Sequence, residues 1–331
     1  MLICRFCFSF PLCPLPSPRP RRFRGVALLA LKDPARDMTD VVSIFDRYQA
    51  VRPRLPQARF ERATTRIDSL LDIADTVDAF VFDAFGVLNV GETPIPGAAR
   101  RLDQLRDTGR AIRILSNAAS YDHDRAAEKF RRLGMRVAPD EIITSRDAAL
   151  NSLEDRLWGC IAAPADTLSD IPADTLRLGD TPADYDRAEG VLFLSTEVWG
   201  DAQQALLTQS LLADPRPVVI ANADIAAPRD HGFSLEPGHY GHLLADRGLS
   251  DIRFFGKPFP EVFALAEQSL PGIPPDRIAM CGDTLHTDIL GAAARGWRTV
   301  FVEQDGMFSG VDTGPYRSAS ELMPTWRLSR I

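Results

Sequence analysis

Asp83, Ser116, Lys257 and the pair Asp283 and Asp288 are the residues whose types and spacing can do chemistry. Each closes or follows a short apolar run: DAFVFD ends at Asp83, AIRILSN at Ser116 and Asn117, IRFFGK at Lys257, and RIAMCGD at Asp283. A carboxylate placed there can attack a phosphorus centre and form an acyl-phosphate, provided a cation screens the approaching negative charges. The stretch CGDTLHTD adds carboxylates able to help hold Mg²⁺, a hard ion that prefers oxygen. The Lys257 ammonium can neutralise the nucleophile and a phosphate oxygen together, and the Ser116 hydroxyl with nearby N–H groups can hold another oxygen. Singly these residues say little. A strand-end Asp is often structural, GKP is usually a turn, and Asp288 can simply cap a helix. Their order, and their shared place at run ends, carries the reading.

The runs that position them are short and β-rich, and a fifth, RPVVIAN, ends at Asn222. Apolar runs of this length read as strands buried on both faces. Amphipathic stretches alternate with them: GAARRLDQLRDTG, DHDRAAEKFRRLG, PEVFALAEQSL and HTDILGAAARG. Such alternation predicts an α/β fold with a doubly wound parallel sheet, whose ligand site lies beyond the carboxyl ends of the strands. Residues 141–250 carry their own strands and helix signals and interrupt the first unit. The expected division is therefore a core of 38–140 plus 251–331, an inserted α/β cap of 141–250, and an excluded arm of 1–37. That arm, Pro- and Arg-rich and without helical period, reads as disordered or as a mis-called start before Met38.

Composition narrows the function classes. The 331 residues are 45% hydrophobic and 25% charged, with a formal charge of −7. That is an ordinary globular balance with no basic nucleic-acid surface. No apolar run is long enough to span a membrane. Of five cysteines, only Cys4 and Cys7 are closely spaced, and a lone CxxC makes a poor zinc site. A reducing, cytoplasmic setting fits.

The four run ends together resemble the haloacid dehalogenase superfamily of phosphotransferases. DAFGVL stands for its first motif, LSNAAS for the second, FGKPFPEVF for the third, and GDTLHTD for the fourth. GVLNVGETPIPGA and GDTLHTDILGAAARG resemble the class IIA branch, which carries a large cap between the second and third motifs and includes sugar phosphatases. The resemblance implies a Rossmann-like core and Mg²⁺ as cofactor. It implies Asp83 as nucleophile, Ser116 as phosphoryl binder and Lys257 as its orienting cation. Asp83, Asp283, Asp288 and the backbone carbonyl of Phe85 would be the metal ligands, and Asn117 would sit beside the phosphate. It also implies a small phosphorylated metabolite as substrate and a possible homodimer through the cap.

Phe85 departs from the pattern. The family's phosphatases place there a carboxylate that protonates the leaving oxygen and then activates water. Its loss costs about 10²–10⁴-fold in rate. Three readings stand: a slowed hydrolase whose substrate has a good leaving group, or one that borrows an acid from His286, Glu92 or His123; a dehalogenase; or a silent binder of a phosphorylated ligand. In the cap, Asn222, Asp224 and Arg229 are the candidate substrate contacts. His231, His239 and His242 lack the spacing of a helical metal face and read as loop residues. LGDTPADYD near Asp180 reads as a turn with a helix cap.

Overall fold

A computed structural model describes residues 40–60, 63–229 and 232–331. The arm 1–37, Met38 and His231 lie outside the described residues.

Seven parallel strands form the larger sheet, in the order Thr65–Arg66, Trp326–Leu328, Arg298–Val302, Ile278–Gly282, Ala79–Phe82, Ala111–Ser116 and Ile142–Thr144. The central pair explains why the sequence reads as continuous apolar runs. Phe80 and Phe82 join Ile112, Ile114, Ala279 and Cys281 on one face, while Ala79 and Val81 join Leu115, Ile278 and Met280 on the other. Both faces are covered, so neither parity of side chain can be polar. Helices Ala98–Asp107 and His123–Arg132 connect the strands on the first face. Asp122 caps the second of these, accepting a hydrogen bond from Arg125 N at 2.9 Å; such a cap contributes about 1 kcal/mol.

Five parallel strands form the smaller sheet: Ile252–Phe254, Val218–Ile220, Gly190–Phe193, Trp158–Ile161 and Thr175–Arg177. Helix Asp201–Ala213 packs Leu207 and Leu211 onto it, against Val191 and Phe193. An antiparallel hairpin, Ala226–Pro228 with Phe233–Leu235, follows the strand that ends before Asn222. One apolar cluster runs from Val81 and Met280 through Phe255 and Phe263 to Trp158 and Val219, so the two sheets share packing.

The borders at 140 and 251 shift. Ile142–Thr144 is the edge strand of the larger sheet, and Ile252–Phe254 is the edge strand of the smaller one. The run IRFFGK therefore splits: its strand pairs with Val218–Ile220, and Lys257 follows in a loop. A three-residue strand, Ile-Arg-Phe, reads the same in either sheet, which is why periodicity could not assign it.

The helix Val41–Val51 starts at Asp40, whose carboxylate accepts from Ser43 N at 2.8 Å. It buries Ile44, Phe45 and Tyr48 against Leu285, Ile289 and Phe308 on one side and Ile225 on the other. Among the described residues, no helix is long and apolar enough to cross a membrane.

Candidate active site

Register puts the functional residues together. Phe82 pairs with Cys281 on one side and with Ile114 on the other. One residue on, the Asp83 N–H donates to Cys281 O at 2.9 Å, and Asp283 follows the end of the neighbouring strand. Ser116 closes the strand on the far side. Parallel strands in this register emerge at one edge, so their next residues face one crevice.

Lys257 Nζ lies 2.6 Å from Asp83 Oδ1 and 2.8 Å from Asp288 Oδ1. The lysine is itself fixed by Asn117, whose Oδ1 accepts from Lys257 N at 2.7 Å and whose Nδ2 donates to Lys257 O at 2.9 Å. The second Asn117 N–H donates to Asp224 Oδ1 at 2.8 Å, joining the core to the cap. Asp288 Oδ2 accepts from Thr284 N at 3.0 Å. Asp283 accepts from Met307 N at 2.6 Å and from the Thr284 hydroxyl at 3.1 Å.

Carboxylate oxygens of Asp83, Asp283 and Asp288 lie within 4.8 Å of one another. Three carboxylates against one ammonium leave an excess of buried negative charge. Burial, before anything else, pushes the Asp283 carboxyl well above its ordinary range, and the Asp83 and Asp288 charges add to that push. Asp83 is raised too, by burial first, against the pull of Lys257. Oxygen-only ligands with uncompensated charge suit a hard divalent cation. The backbone leaves room for these carboxylates by omitting side chains. A Cβ on Gly86, which has φ +76°, would lie 2.3 Å from Asp283 Oδ2, and one on Gly306 would lie 1.9 Å from it.

A cavity of about 600 Å³ opens over this cluster. Its walls include Asp83, Phe85, Ser116, Asn117, Asn222, Asp224 and Arg229, seven of the residues singled out from the sequence. Asn222 is buried and engaged: its Nδ2 donates to Glu236 Oε2 at 3.1 Å and its Oδ1 accepts from Asp224 N at 2.9 Å. Burial pushes the Asp224 carboxyl up to about 8, against the pull of Lys257. Arg229 donates to Ser234 Oγ at 2.7 Å and Glu236 Oε1 at 2.8 Å.

The three borrowed-acid candidates do not line the cavity. His286 is buried, stacked on Tyr48 at 5.0 Å and bonded to Gln49 at 2.7 Å, and burial pushes it down to about 3. Glu92 is exposed and pairs with Lys129 and Arg132. His123 is bonded to Pro139 O at 2.8 Å. The loop reading of His239 and His242 also fails, since both are buried on helix Pro237–Asp246. Asp180 precedes helix Pro182–Arg187 and accepts from Gln203 at 2.7 Å. Lys129, also in the cavity wall, was missed: EKFRR reads as the solvated face of an amphipathic helix.

A Rossmann-like parallel core with an inserted α/β cap, and a carboxylate–lysine cluster at its strand ends, define a hydrolase of the haloacid dehalogenase type. The profile of the haloacid dehalogenase-like hydrolases matches residues 80–162, and a second, HAD-hydrolase-like, profile matches residues 254–319. Chronophin of Rattus norvegicus is 32% identical over 258 residues, covering 73% of this chain and 81% of that protein. Glycerol-3-phosphate phosphatase of Homo sapiens is 30% identical, covering 68% of this chain and 78% of its own. The chain belongs to the haloacid dehalogenase-like hydrolases and is phosphatase-like within them. Among solved structures, a possible sugar phosphatase from Cytophaga hutchinsonii matches with a TM-score of 0.70 at 23% identity, over 80% of this chain and 98% of that one. A glycerol phosphate phosphatase from Mycobacterium tuberculosis, in complex with magnesium, matches with a TM-score of 0.62 at 24% identity, over 77% and 75%.

Proposed function

We propose that the chain is a Mg²⁺-dependent hydrolase of a small phosphorylated metabolite, working through an aspartyl-phosphate on Asp83, with turnover reduced by Phe85. The observation that carries this is the Asp83–Lys257 contact of 2.6 Å beside Asp283 and Asp288, opening onto the cavity. Asp83, Asp283, Asp288 and the Phe85 carbonyl would hold the metal, which when bound supplies positive charge that screens the phosphoryl oxygens. Asp83 Oδ attacks phosphorus and the bond to the leaving oxygen breaks. Lys257 orients the carboxylate, and the Ser116 hydroxyl donates to a phosphoryl oxygen. Asn117 holds Lys257 in place. The leaving oxygen then needs a proton, and Phe85 has none to give. Water finally opens the acyl-phosphate and frees phosphate and Asp83.

The relatives named as phosphatases of glycerol phosphates support the substrate class. The free, buried Cys160 and Cys281 support a reducing, cytoplasmic setting. A second reading, a phospho-ligand binder without turnover, draws on the missing acid at Phe85. Phosphate release from p-nitrophenyl phosphate, with Mg²⁺ and with EDTA, separates the two. Release that needs Mg²⁺, and falls at least about 10³-fold in Asp83→Asn, is the expected result. Release equal in both chains, or none from either, would sink the hydrolase reading.

A further inference from the structure

Phe85 replaces an acid with a ring, and two cations sit on that ring. The Lys129 ammonium lies 4.3 Å from its centroid and the Arg229 guanidinium 5.6 Å from it. Lys129 comes from helix His123–Arg132, beside the larger sheet, and Arg229 follows the hairpin strand Ala226–Pro228. All three residues line the cavity that holds Asp83 and Ser116.

A ring face attracts cations through its quadrupole but carries no net charge with which to neutralise them. The nearby carboxylates fall short as well. Glu92, 3.4 Å from Lys129, is exposed and shared with Arg132 at 3.6 Å. Glu236, 2.8 Å from Arg229, also serves Asn222 and Ser234. By ion pairs, Lys129, Arg132 and Arg229 thus share two carboxylates, Glu92 and Glu236. The Lys129 ammonium is lowered by burial first; Glu92 opposes that, and Arg229 and Arg132 add smaller repulsions. The backbone puts the Phe85 Cα within about 7 Å of the Asp83 Cα, the span of two residues.

We propose that Lys129 and Arg229, seated on Phe85, form a second anion subsite, and that the preferred substrate is a short phosphomonoester with a further anionic group at its far end. This rests on the reading of the Asp83 centre as a phosphoryl site. Phe85 is then a platform for charge recognition as well as a lost acid.

The test compares 3-phosphoglycerate with glycerol 3-phosphate, which share a carbon skeleton and differ in a carboxylate against a hydroxymethyl group. Their binding to the full Asp83→Asn chain with Mg²⁺, followed by calorimetry, needs no turnover. The acid should bind at least about tenfold tighter, as expected for a charge-assisted contact. Lys129→Met should cut that preference below about threefold, and Lys129→Arg should keep it. Phe85→Leu, which preserves apolar volume without the ring, should also reduce it. Equal affinity for the two ligands, or a preference that survives both Lys129→Met and Phe85→Leu, overturns the subsite. Inorganic phosphate separates this from the reading beneath it. Phosphate bound without any acid preference sinks the subsite alone, and no phosphate binding sinks both.

Discussion

Around Asp83 each charged group is gripped from several directions, whereas around Phe85 the cations rest on a ring and on carboxylates shared with other groups. Asp83 has Cys281 O, Ala84 N and Lys257 as partners; Lys257 has both ends of the Asn117 amide, Asp83 and Asp288. Lys129 has the Phe85 ring and an exposed Glu92. The first region is assembled from strand ends whose register leaves little freedom. The second is assembled from a core helix and a cap hairpin, so its geometry depends on how the smaller sheet packs on the larger. On the proposed reading, phosphoryl chemistry belongs in the first region, and discrimination between substrates in the second.

The largest test of this contrast is Phe85→Asp. Turnover of glycerol 3-phosphate should rise about 10²-fold or more, because an alkoxide leaving group needs a proton. Turnover of p-nitrophenyl phosphate should change little, because its leaving group does not. Steady-state rates on the two esters check this, and an unchanged glycerol 3-phosphate rate would break the assignment of the missing acid.

Next is Gly86→Ala. A Cβ at this positive φ meets Asp283 Oδ2 at 2.3 Å, whereas at Gly97, φ +93°, nothing lies within 4 Å. Both substitutions carry the backbone strain of about 1–2 kcal/mol. Only Gly86→Ala adds overpacking of about 1–3 kcal/mol. Urea melts of the two variants should differ by that amount, and Gly86→Ala should lose any rise in melting temperature on adding Mg²⁺. Equal melts would show that the carboxylate cluster is less tightly fixed than its contacts imply.

The smallest effect concerns the helix behind the cavity wall. His242, on the helix that follows Glu236, stacks on Phe254 at 4.4 Å, and burial pushes it down to about 3, with Arg47 and Arg54 adding to the push. Neutral in the fold and titrating near its ordinary value when unfolded, it contributes in full above about pH 6.5, and its contribution is lost as pH falls toward about 3. At pH 5 the loss should be about 1–2 kcal/mol, and His242→Gln should flatten that stretch of the stability–pH curve. An unaltered curve would place the acid sensitivity elsewhere.

What could be read from the sequence was local. Asp83, Ser116 and Asp283 were legible because a two-faced apolar strand that stops at a polar residue announces where the sheet edge lies. Lys257 was legible as a site residue but not in its route there, since IRF joins the other sheet. Asn222, Asp224 and Arg229 were legible as neighbours of a strand end, but their hydrogen-bond partners were not. Lys129 was illegible: its meaning comes from a ring far away in sequence. His239 and His242 were misread because the apolar cover over them comes from other segments.

The helix Val41–Val51 bridges the two halves that the cavity separates. Tyr48 stacks on His286 and accepts from Ile225 N at 3.1 Å, one residue past Asp224, while Arg47 and Arg54 pair with Asp246 at 2.7 and 2.6 Å. Any opening that separates the sheets must break either the core-side or the cap-side contacts. Phe45 adds edge contacts to His286 and Tyr316 at 5.3 and 5.0 Å, so the apolar attachment favours the core. The polar contacts on the cap side are the two ion pairs, the Tyr48 hydrogen bond and one from Arg54 Nη1 to His242 O at 3.4 Å. The helix is thus held to the core by apolar packing and to the cap by a mixture of apolar packing on Ile225 and ion pairs. The ion-pair share of that cap-side grip is screened as ionic strength rises, so added salt should loosen the cap side before the core side.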